Sequence, residues 1–442
     1  MWAILKIYMG LVLLTIHVHG RYKNVMSDAI KTVIKERKYI DGIFAPVSFY
    51  PIGEGGFAAV FQGVNMAENR DVAMKFSNHK ERSKLEFLIR GYLKAIDDGT
   101  QKSDVEKYGI SPISYYNSES QFDSSSITVM PLYECNILEK KNKFKLNFEE
   151  IDYLILFRDY VRQTKYMHSC GVRYDDIKPE NIMLRKGRSV LIDFNVSTKM
   201  NEKFNGYTIP YASRSAHRHF NGVPDIKGHP LDDWESFIYV IALHMGVKLA
   251  WSDKFAELVA GNTEITARQI GNLKNDTSDT INRIRNDVKF EKLREIMVKF
   301  AEVAFSTTIK SPDYNHFDDI ITAEIIDINK KNQPKPAVFS WLTGHDRDEA
   351  IKDLMDNPPT AAKDIKFEKT VFRKEDYVDM DEGFFSNRRE EMAQMAATNG
   401  ELRYLEEKKK EFVKQKRGES SISRYIEGMM IQPIDCLTCF KS

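Results

Sequence analysis

Cysteine is scarce: four residues in 442, at positions 135, 170, 436 and 439. So few in a chain of this length exclude a disulfide framework. Cys135 and Cys170 lie in apolar surroundings and read as ordinary thiols, which behave as small hydrophobes. Cys436 and Cys439 form a C-x-x-C with no further Cys or His nearby, two ligands short of a structural zinc site. A local disulfide or two idle thiols is the expectation there. Net charge is nearly absent as well, with 65 Lys and Arg against 64 Asp and Glu. The chain therefore has no global field to recruit nucleic acid or an anionic membrane, and no nucleic-acid partner is expected. Internal repeats are missing. Beyond the N terminus no apolar run approaches the length of a membrane span, so no stable span is expected. What is present, 42% hydrophobic and 29% charged residues, is the composition of a folded globular chain with room for two or three domains.

The first twenty residues have a distinct layout. Lys6 supplies a positive charge, Ile7 to Val18 is mostly apolar, and Val18-His19-Gly20 offers small residues at a cleavage spacing. This is the pattern of a secretory signal peptide over 1–20. An anchoring segment and a fortuitous apolar start are the alternatives, and the cytoplasm is the alternative location. Residues 21–46 read as a lead-in segment. From Phe49 to Phe76, alternation with Gly and aromatics predicts strand, turn, strand, strand. Apolar spacing predicts helices over Lys80–Ile96, Ile151–His168 and Asp232–Met245, with further helices over 251–270 and 288–304. Short strands are expected at Ile127–Leu132, Ile182–Leu184 and Val190–Ile192. Composition shifts near Asn329, where Lys330-Lys331-Asn332-Gln333-Pro334-Lys335-Pro336 reads as a linker. The expected divisions are a folded domain over 47–329 and a charged tail, helical or irregular, over 330–442, with an unknown partner as its possible role.

Four segments carry chemistry. Gly53-Glu54-Gly55-Gly56-Phe57-Ala58-Ala59-Val60 is a glycine-rich turn that lets backbone approach phosphates. Val72-Ala73-Met74-Lys75 ends an apolar strand in a lysine able to pair with phosphate oxygens. Tyr174-Asp175-Asp176-Ile177-Lys178-Pro179-Glu180-Asn181 places three polar groups on one loop, anchored by Ile177 and Ile182. Asp176 would accept a hydroxyl proton, Lys178 would neutralise charge on a transferring phosphoryl, and Asn181 would hold magnesium. Leu191-Ile192-Asp193-Phe194 is a buried strand ending in a carboxylate suited to the same metal. Singly, the first two are weak signals; the order of all four is the specific one.

These segments resemble the eukaryotic protein kinases, and within them the casein kinase 1 group that includes the vaccinia-related kinases. The resemblance covers about Phe49 to Ile321 and is strengthened by Thr208-Ile209-Pro210-Tyr211-Ala212-Ser213, Asp232-Asp233-Trp234-Glu235-Ser236 and Ser311-Pro312-Asp313-Tyr314. It implies an α+β bilobal fold, with a small β-rich N-lobe and a larger helical C-lobe, that uses ATP and Mg2+ to phosphorylate serine or threonine on proteins. It makes Glu86 the ion-pair partner of Lys75, with Glu81 as the alternative. Gly53, Gly55, Gly56 and Val60 would cover the nucleotide, Met130 would stand at the gate of the adenine pocket, and Leu132 would lie in the hinge. Thr208 would bridge Asp176 and Lys178, while Asp233 and His168 would be structural. Arg214, His217, Arg218, His219 and Lys227 fall where substrate should lie, which suggests acidic or already phosphorylated protein substrates, although solvated surface charge explains them too.

The chain departs from the pattern in places. Ala58 replaces a loop glycine, Tyr174-Asp175 stands where His-Arg is usual, Asn195 follows Phe194 in place of Gly, and Asp318 stands near the position of a family arginine. Missing that arginine of the catalytic loop argues against switching by a phosphorylated activation loop. A kinase-fold scaffold with little or no transfer activity is therefore the main alternative to an active enzyme, and a small-molecule kinase is a remoter one. Two N-x-S/T sequons occur, at Asn195 and Asn275; the first would lie in the cleft and the second is a plausible exposed acceptor.

Overall fold

The computed structural model describes residues 34, 40 and 43–365 apart from 49, 55–57, 95–103, 118–124, 255–262 and 331–335. The expected signal sequence, most of the expected tail and the Cys436–Cys439 pair lie outside the described residues.

The N-terminal part is an antiparallel sheet of six strands: β1 (Phe44–Pro46), β2 (Gly53–Glu54), β3 (Ala58–Asn65), β4 (Arg70–Ser77), β5 (Tyr115–Asn117) and β6 (Ser126–Pro131). The main path runs β1-β3-β4-β6-β5, and β2 pairs with β3 beside the glycine turn. Asn65 sets the β3–β4 turn by accepting the amides of Ala67 and Glu68, a local bond that Asn forms readily. Phe44, Phe61, Met74, Phe76, Ile127 and Val129 fill one face of the sheet. Helix α1 (Lys80–Tyr92) packs against β6. It ends four residues short of the expected Ile96, its last turn closed by the Leu93 amide on the Ile89 carbonyl and the Lys94 amide on the Gly91 carbonyl.

The C-terminal part is built on α3 (Glu150–Ser169), which follows a short α2 (Ile137–Asn142) and is buried along almost its whole length. Asp152 caps its start by accepting the Glu149 amide at 2.7 Å, and Gly171, at φ 74°, allows the left-handed exit. Helix α5 (Pro230–Met245) packs on it, with Tyr160 and Phe237 stacked at 3.8 Å and Trp234 stacked on Phe300 at 4.0 Å. Phe300 belongs to α8 (Glu291–Ala304). Helices α4 (Arg214–Phe220), α6 (Thr263–Leu273), α7 (Thr277–Asp287) and α9 (Tyr314–Asn329) complete this part. Two small antiparallel sheets lie at the junction: a three-stranded one of β7 (Cys135–Asn136), β9 (Ile182–Arg185) and β10 (Arg188–Leu191), and a two-stranded one of β8 (Val172–Arg173) and β11 (Thr198–Lys199). The architecture is the bilobal α+β arrangement expected.

The packed core continues past the composition shift at Asn329. Residues 336–365, including α10 (Gly344–Asp356), contribute Val338, Phe339, Ile351, Leu354 and Ile365 to the same apolar core as α3 and α5. Polar bonds fasten the segment. Ser340 donates its N–H and hydroxyl to Asp152, each at 2.6 Å, and the Ala362 amide donates to Asp318 at 2.8 Å. Asp318 also accepts from Arg162 at 2.7 Å, so this acid is an internal anchor of the lower lobe. Among the described residues no helix is long and apolar enough to cross a membrane.

Candidate active site

The cleft between the two parts is lined by charges from five elements. Strand β4 carries Lys75 opposite Val60 on β3 and Thr128 on β6, so its alternation turns the lysine away from the sheet's packed face. One turn of α1 brings Glu86 to it: Lys75 Nζ donates to Glu86 Oε2 at 2.9 Å and to Asp193 Oδ1 at 2.6 Å. Glu81, the alternative, is exposed in the first turn of α1. Burial works against the Lys75 charge, but Asp193 and Glu86 outweigh it and raise the lysine's pKa. Burial likewise opposes the Asp193 carboxylate, and Lys75 and Lys178 overcome it, holding Asp193 ionised below its ordinary range.

The loop between β8 and β9 carries the rest, and α5 holds it. Asp233 accepts the backbone amides of Tyr174 and Asp175, each at 2.9 Å, and takes His168 Nε2 at 2.8 Å. His168 in turn meets the Tyr314 hydroxyl at 2.5 Å, which makes it part of the scaffold. Fixed this way, Asp176 stands between two donors: Thr208 Oγ1 at 2.5 Å on one oxygen and Lys178 Nζ at 2.7 Å on the other. Asn181 donates Nδ2 to the Asp176 carbonyl at 3.0 Å, leaving Oδ1 as the atom a metal would take. Left-handed backbone occurs at Asp175 (φ 66°) and Asp193 (φ 61°), not at Asn195, so the two turns that aim the carboxylates carry the unusual geometry themselves.

Lys75, Asp176, Lys178, Asn181, Asp193, Thr208 and Glu86 are thus brought around one cleft. Gly53 pairs with half-buried Val60 at its roof, Met130 is buried at the end of β6, and Leu132 follows it half-buried in the connection to the lower lobe. Gly55, Gly56 and Phe57 lie outside the described residues. Residues 48–220 match the family of the protein kinase domain. Over that stretch the chain is similar to the protein kinase domain, and its two-lobed α+β architecture is that of the kinase fold. The match ends within the lower lobe, whose remaining helices extend the same packed core.

Sequence reading missed several residues that shape this kinase fold. Arg173, fully buried, forms a two-point pair with Asp175, at 2.6 and 2.9 Å, and also bonds Thr198 Oγ1 at 2.6 Å and the Glu202 carbonyl at 3.2 Å. Its guanidinium lies 4.5 Å over Phe204. Burial lifts Asp175 to about 6, and the Arg173 charge keeps it from going further, so the pair is ionic at neutral pH. Lys274, just past the end of α6 and also buried, donates to the Ile209 and Ala212 carbonyls at 3.2 and 2.6 Å and props the segment after Thr208. Only contacts distant in sequence reveal such residues. In isolation each is one more basic side chain in a polar stretch.

The five basic residues expected to face substrate do not all do so. Arg214 is held by Glu235, with Nε 3.1 Å from both carboxylate oxygens. His217 is buried, bonds the Ile209 carbonyl at 3.0 Å, and is driven to about 3 by burial and by Lys274, so it is neutral. The start of α4 turns both inward, leaving Arg218 and Lys227 exposed and His219 half-buried. Lys274→Met should lower the kcat/KM for a protein substrate more than it changes nucleotide affinity, a split that steady-state kinetics would reveal.

Buried Asp232 gives a pH signature. Burial lifts its carboxyl from 3.8 to about 7, with Glu235 adding to the shift. The folded state therefore binds a proton that the unfolded state releases between those values, and this group's contribution to stability falls as pH rises from about 4 to about 7. Asp232→Asn, which keeps an acceptor for the His229 amide, should raise the melting temperature above pH 7 and leave it unchanged near pH 4. A pH series of thermal melts on both proteins would test this.

Proposed function

We propose that this chain is a protein serine/threonine kinase of the casein kinase 1 type that uses ATP and Mg2+. The observation that carries the reading is the placement of Asp176 between Thr208 and Lys178, facing the Lys75–Glu86–Asp193 cluster across one cleft. The donor set suits a hard cation: an ionised carboxylate on Asp193 and the amide oxygen of Asn181, with the other positions left to water and phosphate. Bound magnesium would neutralise charge on the phosphate oxygens. The chain's own residues do the remaining work. Lys75, oriented by Glu86, would hold the α- and β-phosphates. Asp176 would orient the substrate hydroxyl and receive its proton, and Lys178 would balance charge on the transferring group. Thr208 beside Asp176 supports serine and threonine as acceptors. The T-x-x-Y-A-S and D-D-W-E-S segments support the casein kinase 1 type.

Incubation of the full chain with ATP, Mg2+ and casein tests the reading. Phosphoserine or phosphothreonine, dependent on magnesium, is the expected product. Nucleotide binding with no transfer would instead favour a scaffold that has kept the fold. Phosphotyrosine would overturn the acceptor assignment alone.

We also propose that the chain enters the secretory route, on the strength of its apolar N-terminal layout. Asn275 is exposed in the connection between α6 and α7, whereas Ser197 of the other sequon is buried and donates to the Tyr174 carbonyl at 2.9 Å. Expression in secreting eukaryotic cells should yield one glycan, removed by Asn275→Gln and unaffected by Asn195→Gln. An unglycosylated intracellular product would exclude this route.

A further inference from the structure

Arg90 is fully buried on α1, one turn beyond Glu86. Its hydrogen bonding is poor: Nη2 reaches Glu86 Oε1 at 3.5 Å, while Nε and Nη1 have no partner among the described residues. A buried cation so weakly compensated costs stability, and an apolar residue of the same volume would serve the core as well or better. Packing does not explain it. Position does. The guanidinium lies 4.7 Å over the Phe194 ring, and the Glu86 oxygen it approaches also accepts the Phe194 amide at 3.2 Å. The other Glu86 oxygen is the one that holds Lys75.

We propose that Arg90 is a positioning residue for phosphoryl transfer: by fixing Glu86 Oε1 and the Phe194 ring together, it aims Lys75 and Asp193 into the cleft. The proposal rests on the kinase reading above. A fork is needed for both contacts, since one planar group faces a carboxylate and covers a ring at the same time. An aliphatic side chain would keep the volume but leave Glu86 Oε1 held by the Phe194 amide alone, loosening the coupling between α1 and the turn that carries Asp193.

Charge alone predicts the opposite trend. Arg90 helps hold the Asp193 carboxylate ionised, and removing a nearby cation leaves the cleft more negative, which should tighten magnesium binding. The two accounts therefore separate on measurement. Arg90→Met should melt at or above the wild-type temperature, while its kcat falls and its KM for ATP at saturating Mg2+ rises, together by about tenfold in kcat/KM. Arg90→Lys, which keeps charge without the fork, should recover only part of the loss. Full activity in Arg90→Met, or full recovery in Arg90→Lys, would overturn the proposal. If Arg90→Met does not fold, the lysine variant decides by the same kinetics. Should the wild type transfer no phosphate, calorimetric titration of Mg-ATP into wild type and Arg90→Lys reads the positioning directly. Equal affinities would sink it, while the kinase reading would already have failed on its own test.

Discussion

Asp176→Asn should lower phosphate transfer by about 10²–10⁴-fold, the range that removal of a positioned proton acceptor costs. The substitution preserves shape. Asn still accepts from Thr208 on one side, but it presents an amide N–H to the Lys178 ammonium or must turn and lose Thr208 instead. The loop itself should stand, because Asp233 holds it through the Tyr174 and Asp175 amides and not through the Asp176 side chain. Nucleotide affinity should accordingly be unchanged, since Lys75, Glu86, Asn181 and Asp193 are untouched. Phosphate incorporation into casein and titration of Mg-ATP, on the same preparation, separate the two effects. Transfer at the wild-type rate would remove Asp176 from the chemistry. Loss of nucleotide binding would mean that its role is structural.

Arg173→Ala should destabilise the lower lobe by about 3–5 kcal/mol, the usual cost of leaving one member of a buried ion pair alone. Both side chains of the Arg173–Asp175 pair are fully buried, so solvent screens neither. Asp175→Ala in the same background should recover part of the loss, because it removes the stranded carboxylate. Gly228→Ala provides an independent approach: a methyl there would lie 1.8 Å from the Arg173 guanidinium carbon, which could yield only by breaking its bonds to Asp175, Thr198 and Glu202. Chemical denaturation of the wild type, Arg173→Ala, Asp175→Ala, the double variant and Gly228→Ala reports the result, and additive losses for Arg173 and Asp175 would contradict the pairing. The same arrangement predicts that phosphatase treatment leaves activity intact. Arg173 already ties together Thr198, Glu202 and Phe204 through its own bonds, so no phosphate is required to order that stretch. Activity lost on dephosphorylation and regained on rephosphorylation would refute this.

Legibility in the sequence followed the range of the forces involved. The four cleft segments could be read because each is short, and because glycine, lysine and carboxylate chemistry demands those residue types locally. Glu86 was named through the resemblance and not from the helix pattern, since Leu85 and Leu88 are only half-buried while Glu86 itself is buried. Helices α7 and α10 were not anticipated. Their apolar residues are few, Ile281 and Ile284 in one and Ala350, Ile351 and Leu354 in the other, and only packing against the lobe makes those sufficient. The basic residues around α4 were placed toward substrate by their position in the chain, whereas Glu235, on a different helix, draws Arg214 inward. Arg90 and Lys274 could not be distinguished from surface cations at all. The Glu86–Arg90 spacing is also that of an ordinary surface pair on a helix, and the remaining partners, a ring and carbonyl groups, leave no charge pattern in a sequence.

The segment 336–365 bears on how much chain constitutes one cooperative body. A fragment stopped at Asn329 would strand Asp152 without its Ser340 donors and bare the apolar positions that Val338, Phe339 and Leu354 now cover. Those positions line the flank of α3, whose far end leads into the loop of Asp176. A fragment cut there would be a sticky, loosened body with its chemical residues all present.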